Sequence, residues 1–385
     1  MDNQSKKTVD HRTRLKEISR NNKEVYRQYR KSQKETTKES DPSAYLATME
    51  HSDSILEIDD LKTYFYTDSG VVKAVDGVNI TIPAGHTVGI VGESGCGKSV
   101  TSLSVMRLLQ GPVGQIVGGS IRFNNGKQTV DLTKLPENEM RKIRGKEIAM
   151  IFQEPMTSLN PVFTIGYQLD EAIRLHFPDK SKKEVRELSI EMLKTVGIAR
   201  PEGIYDSYPH ELSGGMRQRI VIAMALSCQP KLIIADEPTT ALDVTIQAQI
   251  LELMRNIKEK ISASIMLITH DLGVVAEMAD FVIVMYAGRV IEQGTAMEIY
   301  KNPLHPYTIG LLKSKPVLGR KTDRLYSIPG QVPNPINMPN DCYFKSRCEK
   351  AFDKCELEYP AMLRMSPTHR VACWLYREES ESCPK

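Results

Sequence analysis

The sequence has no apolar run long enough to cross a bilayer. Stretches such as Phe281 to Ala287 stop within two helical turns, whereas a spanning helix needs about 20 residues. It also lacks a charge excess. Lysine and arginine number 51 against 48 aspartate and glutamate, a net charge of +3, which leaves no electrostatic footprint for a nucleic acid. The opening MDNQSKKTVDHRTR has no apolar stretch of the secretory kind. These absences argue against an integral membrane protein and a nucleic-acid binder. They predict a protein that stays in the cytoplasm, where thiols remain reduced.

What is present is an ordinary globular balance, 41% apolar and 26% charged residues over 385 positions, enough for one large domain with appendages. Seven cysteines are unevenly placed: Cys96 and Cys228 stand alone, while Cys342, Cys348, Cys355, Cys373 and Cys383 crowd the end. In a reducing compartment such crowding suggests metal before disulfide. Residues 1–50 are polar and poor in aliphatics, which predicts a solvated arm, transiently helical around Glu17 to Lys34.

From Ile55 the texture changes. Thr87–Val91, Ile148–Phe152, Leu232–Ala235, Ile265–Thr269 and Phe281–Tyr286 are unbroken apolar runs of strand length, and helix-like stretches separate most of them. Such runs suit parallel strands buried on both faces. The alternating segment from Ile55 to Phe123 predicts an antiparallel subdomain. Residues 165–225 read as mostly helical. After Asn302 the chain is punctuated by proline.

Gly92-Glu93-Ser94-Gly95-Cys96-Gly97-Lys98-Ser99 fits the phosphate-loop pattern G-x-x-x-x-G-K-[ST]. Glycines let backbone N–H groups turn inward around phosphates, and the following helix adds its positive end. Lys98 is expected on the β- and γ-phosphates and the Ser99 hydroxyl on Mg²⁺. The run Leu232–Ala235 ends in Asp236 and Glu237. Asp236 is expected to hold Mg²⁺ through water, leaving Glu237 as general base for the attacking water. Gln153 and His270 also follow apolar strands. Gln153 is placed to reach Mg²⁺ and the water, and His270 the γ-phosphate. Ser213, Gly214 and Gly215 open a helix with bare N–H groups, a second anion-binding surface in a chain that already has one.

In the order Gly92–Ser99, Gln153, Leu212–Gly215, Leu232–Glu237, Ala241-Leu242-Asp243 and His270, the chain resembles the ATP-binding-cassette family of ATPases over roughly residues 55 to 300. The resemblance implies an α/β P-loop NTPase: a RecA-like parallel core, an antiparallel β subdomain, a helical signature subdomain and an irregular C-terminal extension. It divides the chain into an arm (1–50), a nucleotide-binding domain (51–300) and a C-terminal domain (301–385). By resemblance, Ser213 and Gly215 bind the γ-phosphate of ATP held by a partner subunit, Asp243 links the two sites, and Phe65 or Tyr66 stacks on adenine.

Gln153-Glu-Pro-Met-Thr-Ser-Leu-Asn-Pro161, Asn302–Thr308 and Ile328–Pro335 are similar to segments of oligopeptide and dipeptide importer ATPases. That similarity implies ATP-driven peptide uptake at the cytoplasmic face of the cell membrane. The implied partners are a second cassette subunit (a paralogue or a copy), two integral membrane permeases and, indirectly, an extracellular substrate-binding protein. The alternatives are an importer for another solute, such as nickel or an opine, and a soluble non-transport ATPase of the same family. The spacing Cys342-x5-Cys348-x6-Cys355-x17-Cys373 matches neither zinc knuckles nor ferredoxins. The resemblance implies a [4Fe–4S] cluster there, with zinc as the alternative, His369 as a substitute ligand and Cys383 as a spare.

Overall fold

The computed structural model describes residues 2–36, 41–153, 158–240, 242–314 and 326–376, with side chains described from residue 13 to 32 in the first segment. Ala241, residues 154–157 and Cys383 lie outside the described residues.

A long helix, α1 (Asp2–Thr36), precedes an antiparallel hairpin of β1 (Ser54–Thr67) and β2 (Gly70–Pro83). β3 (Thr87–Val91) leads into α2 (Lys98–Val105). β4 (Gly114–Asn124) and β5 (Thr129–Asp131) then complete an antiparallel sheet ordered β2-β1-β4-β5. Next come α3 (Glu137–Ile143) and β6 (Ile148–Ile151), then a helical block of α4 (Ile165–His176), α5 (Lys182–Thr195), α6 (Pro201–Tyr205) and α7 (Gly214–Leu226). β7 (Leu232–Asp236), α8 (Val244–Ile261), β8 (Ser264–Ile268), α9 (Leu272–Met278), β9 (Phe281–Tyr286) and β10 (Arg289–Thr295) return to the second sheet.

That sheet is parallel in the order β9-β3-β8-β7-β6. β3, β7 and β8 are buried at every position, so helices and the antiparallel sheet cover both faces and polar alternation has no place in them. Their carboxyl ends face one crevice, the position where open α/β sheets bind ligands. In the helical block, buried Asp170 accepts from Ser189 Oγ at 2.7 Å and from the Tyr205 hydroxyl at 2.9 Å, tying α4, α5 and α6 together.

The chain after Asn302 is less irregular than expected. α10 (Ala296–Lys301) is followed by α11 (Pro306–Lys313), with Pro306 at its first turn, where a missing N–H costs nothing. Past α12 (Lys354–Leu357), β12 (Arg370–Val371) pairs antiparallel on β10, and β11 (Leu363–Arg364) pairs antiparallel on β12, which extends the large sheet. Among the described residues this region has no core of its own. Tyr307, Tyr343 and Phe344 share one cluster with Val284, Tyr286 and Ile291 of the sheet. The Tyr286 ring lies 4.7 Å from Tyr307 and 5.3 Å from Phe344, both edge-on.

The expected solvated arm is a docked helix. Ile18, Asn22, Val25, Tyr26 and Tyr29 recur at helical spacing and are its shielded positions. Asn22 Nδ2 donates to Thr67 O at 3.1 Å and the Tyr26 hydroxyl to Tyr66 O at 2.8 Å. The Tyr29 ring closes on Gly111, where a Cβ would come within 2.3 Å of its hydroxyl. Five such positions spread through a charged sequence barely change its composition, so composition alone points to solvent where the fold provides a dock.

Candidate active site

The phosphate loop is shaped by backbone crowding. A Cβ on Gly92 would lie 2.3 Å from Met285 O, and one on Gly97 2.3 Å from Ala74 O. Both residues also take positive φ, +154° and +100°, so glycine is required twice over. Gly97 caps α2 without any side chain, which leaves the first-turn N–H groups open to an anion. Lys98 is buried, and its ammonium donates to Gly92 O at 2.7 Å and Glu93 O at 3.1 Å. Those carbonyls hold the charge where phosphate oxygens would take it over.

Ser99 Oγ donates to Asp236 Oδ1 at 3.0 Å. Burial lifts the Asp236 carboxyl above the usual carboxylate range, against the Ser99 bond, and neighbouring Glu237 adds to the rise. A buried carboxylate beside a hydroxyl, all hard oxygen, fits Mg²⁺. Ser99 and Asp236 would hold the ion, which would neutralise phosphate charge there.

Glu237 sits one residue beyond β7 at φ 48°, an uncommon value for a non-glycine residue. Its backbone N–H bonds Ile268 O at 2.8 Å, which fixes the turn. The carboxylate accepts from Gln153 Nε2 at 3.0 Å, Thr240 Oγ1 at 2.9 Å and His270 Nδ1 at 3.2 Å. Burial acts to raise it, but the bonds from His270 and Thr240 outweigh burial and leave it below the usual range. The three strand-end residues expected to act together, Gln153, Glu237 and His270, therefore converge. Two adjacent carboxylates with opposite shifts suit different roles: Asp236 as ligand and Glu237 as an ionised proton acceptor.

Ser213 caps α7 by accepting the Met216 N–H at 3.4 Å, and Ser213 and Gly214 are exposed. Nothing lies within 4 Å of a Cβ built on Gly214. Asp243 likewise caps α8 at 2.9 Å and is exposed. Gln218 of α7 donates to Pro238 O at 2.6 Å, linking this surface to the strand end that bears Glu237.

The other expected residues fall as follows. Cys96 is fully buried, and its thiol accepts from the Lys98 ammonium at 3.8 Å beneath the loop. Its N–H is turned onto Glu93 O at 3.3 Å. Phe65 packs against Gly114, whose Cβ would lie 2.8 Å from the ring, and Tyr66 accepts the α1 bond through its carbonyl. The metal set of Cys342, Cys348, Cys355 and Cys373 is not assembled. Among the described residues no three His, Cys, Asp or Glu side chains are grouped to hold an ion. Burial pushes Cys342 up to about 11 and Cys373 up to about 12. Cys342 and Cys348 pack against the cluster of Tyr286, Tyr307 and Phe344 as small apolar groups. His369 is taken by Glu292 at 2.8 Å.

Sequence reasoning does not find Thr240, Arg347 or Tyr307. Thr240 follows the acidic pair in a polar run that could have flagged it. The other two reach the phosphate loop from across the fold, with no local signal.

The comparisons agree with this geometry. Residues 75–240 match the family model for the ABC transporter, and residues 291–355 match that for the oligopeptide/dipeptide transporter, C-terminal region. The chain is 55% identical over 326 residues to the oligopeptide transport ATP-binding protein AppD of Bacillus subtilis, covering 85% of this chain and 98% of that one.

The chain belongs to the ABC transporter family.

It is also 47% identical to the dipeptide transport ATP-binding protein DppD of Escherichia coli, over 83% of this chain and 96% of the relative. The dimeric ATP-binding cassette MJ0796 bound to ADP and Pi superposes with a TM-score of 0.56 at 26% identity. That match covers 63% of this chain and 98% of that chain. An ABC ATPase binds and hydrolyses ATP, and the crevice brings Gln153, Glu237 and His270 together beside the phosphate loop. Among the described residues no helix is long and apolar enough to cross a membrane.

Proposed function

We propose that this chain is the ATP-hydrolysing subunit of an oligopeptide or dipeptide importer, peripheral to the cytoplasmic face of the cell membrane. It pairs with a second cassette, a paralogue or a copy, beneath two permease subunits fed by an extracellular binding protein. The observation that carries the hydrolytic part is Glu237, ionised and oriented by Gln153 and His270 beside an open phosphate loop. The peptide cargo is supported by the match of residues 291–355 and by the names of the relatives.

The site is half of a working unit. The helix start at Ser213 to Gly215 suits the γ-phosphate of a partner's ATP, and Asp243 adjoins it, because a Cβ on Gly215 would lie 3.2 Å from Ile246, whose N–H Asp243 caps. An apolar patch just beyond the Gln153 segment, with Val162 69% and Tyr167 52% exposed, suits a permease helix. The iron–sulfur or zinc expectation has one point of support: the Cys342 N–H bonds Cys355 O at 3.0 Å, which brings two of the four residues together. Assay of iron, zinc and acid-labile sulfide on anaerobically purified protein decides it.

The test of the main reading is purification from solubilised membranes. The expected result is a complex with integral membrane chains and a second cassette, whose hydrolysis rises with a peptide-loaded binding protein. Isolation without membrane partners, with full ATPase activity, would sink the transport reading. In a Glu237→Gln background, ATP is expected to drive cassette pairing that Ser213→Arg abolishes.

A further inference from the structure

The phosphate loop of this chain contains a carboxylate, Glu93, inside a cradle meant for a polyanion. An uncompensated charge there opposes triphosphate binding. The compensation comes from the far end of the chain. Arg347 donates from Nη1 to Glu93 Oε2 at 2.6 Å and from Nη2 to Glu93 Oε1 at 3.0 Å, a two-pronged pair across 254 residues of sequence. The arginine side chain is only 4% exposed. It is itself anchored by donation from Nε to Pro329 O at 2.8 Å and from Nη1 to the Tyr286 hydroxyl at 3.4 Å. A second contact comes from α11, where the buried Tyr307 hydroxyl accepts the Glu93 N–H at 2.8 Å.

We propose that the C-terminal region clamps the phosphate loop, with Arg347 and Tyr307 as positioning residues that hold Glu93 aside and thereby set affinity for the nucleoside triphosphate. The proposal rests on the ATPase reading above and adds a role for the appended region. The clamp works on both halves of Glu93. Tyr307 fixes the direction of its backbone N–H, while the planar guanidinium neutralises and orients its carboxylate. Arginine suits this position because its fork matches both oxygens, which a lysine cannot do.

The test compares the full chain with Arg347→Gln, Arg347→Lys, Glu93→Gln and the Glu93→Gln/Arg347→Gln pair. MgATP binding is followed by displacement of a fluorescent ATP analogue, and turnover by phosphate release. Arg347→Gln is expected to raise KM for MgATP about tenfold with a smaller change in kcat, because the damage lies in the cradle rather than at Glu237. In the Glu93→Gln background the same substitution is expected to change KM less than about threefold. Arg347→Lys is expected to fall between, since it keeps the charge and loses the fork.

A folded Arg347→Gln variant with unchanged KM overturns the clamp, as does an equal rise with and without the Glu93 carboxylate. Should Arg347→Gln fail to fold, Arg347→Lys measured with and without Glu93→Gln decides the same question. A wild-type chain that binds no MgATP overturns the ATPase reading itself. Normal wild-type binding with uncoupled variants overturns the clamp alone.

Discussion

Gln153 donates its side-chain amide to Glu237 at 3.0 Å, across 84 residues of sequence. The bond joins the end of β6 to the proposed base at the end of β7. Gln153→Ala is expected to lower phosphate release about tenfold, or about 1.4 kcal/mol of barrier, with KM for ATP little changed. A rise in KM with kcat intact would show that Gln153 binds nucleotide instead of orienting the base.

Glu237→Gln keeps the size but removes the proton acceptor, and leaves one acceptor oxygen where two take the bonds from Gln153, Thr240 and His270. General-base loss costs about 10²–10⁴ in rate, and that range is expected for phosphate release at saturating MgATP. Equilibrium ATP binding should persist, since Lys98 and the loop N–H groups are untouched. Steady-state hydrolysis within a few-fold of wild type would eliminate Glu237 as the base.

His305 supplies a pH dependence of stability. Its Nδ1 accepts the Tyr307 N–H at 3.0 Å and so caps α11, which requires that nitrogen to be unprotonated. Burial drives the imidazole down to about 4, while Glu292, which faces it, opposes the shift. In the unfolded chain the group titrates near 6.5, so the unfolded state takes up the proton first as pH falls. The stabilisation is full above about pH 6.5 and lost as pH drops through about 4. The effect is about 3 kcal/mol at most. His305→Asn can accept the same bond without titrating. Urea midpoints at pH 7, 5.5 and 4 should fall more steeply for wild type than for the variant. Parallel curves would assign the pH dependence elsewhere.

The nucleotide edge was legible because its chemistry is local in sequence. The glycines of the loop, the strand before it and the acidic pair after β7 each follow from a few consecutive residues. Parallel strands bring such ends together without further information, so Gln153 and His270 could be placed from position alone. Contacts assembled by the tertiary fold stayed hidden. Arg347 lies beside Cys348 in a stretch that reads as linker, and only the aromatic cluster of Tyr286, Tyr307 and Phe344 carries it to Glu93. The four tail cysteines show the converse. Proximity in sequence suggests a ligand set, yet among the described residues no ion-holding group is formed, and Cys342 and Cys348 pack against the aromatic cluster.

The docking of α1 makes the last prediction. Asn22 and Tyr26 donate to carbonyls at the end of β1, next to Phe65, the candidate platform for adenine. Tyr26→Phe keeps the ring against the hairpin and removes only the donor to Tyr66 O. The loss of one such bond costs about 1 kcal/mol. Because that free energy separates docked from released helix, the released population should grow about fivefold. Amide hydrogen exchange along Asn22 to Tyr29 should speed by the same factor, while exchange in β3 and β7, buried at every position, stays unchanged. Tyr26→Ala also removes the ring and should shift exchange further in the same direction. Equal exchange in wild type and Tyr26→Ala would mean that α1 is not held by this face.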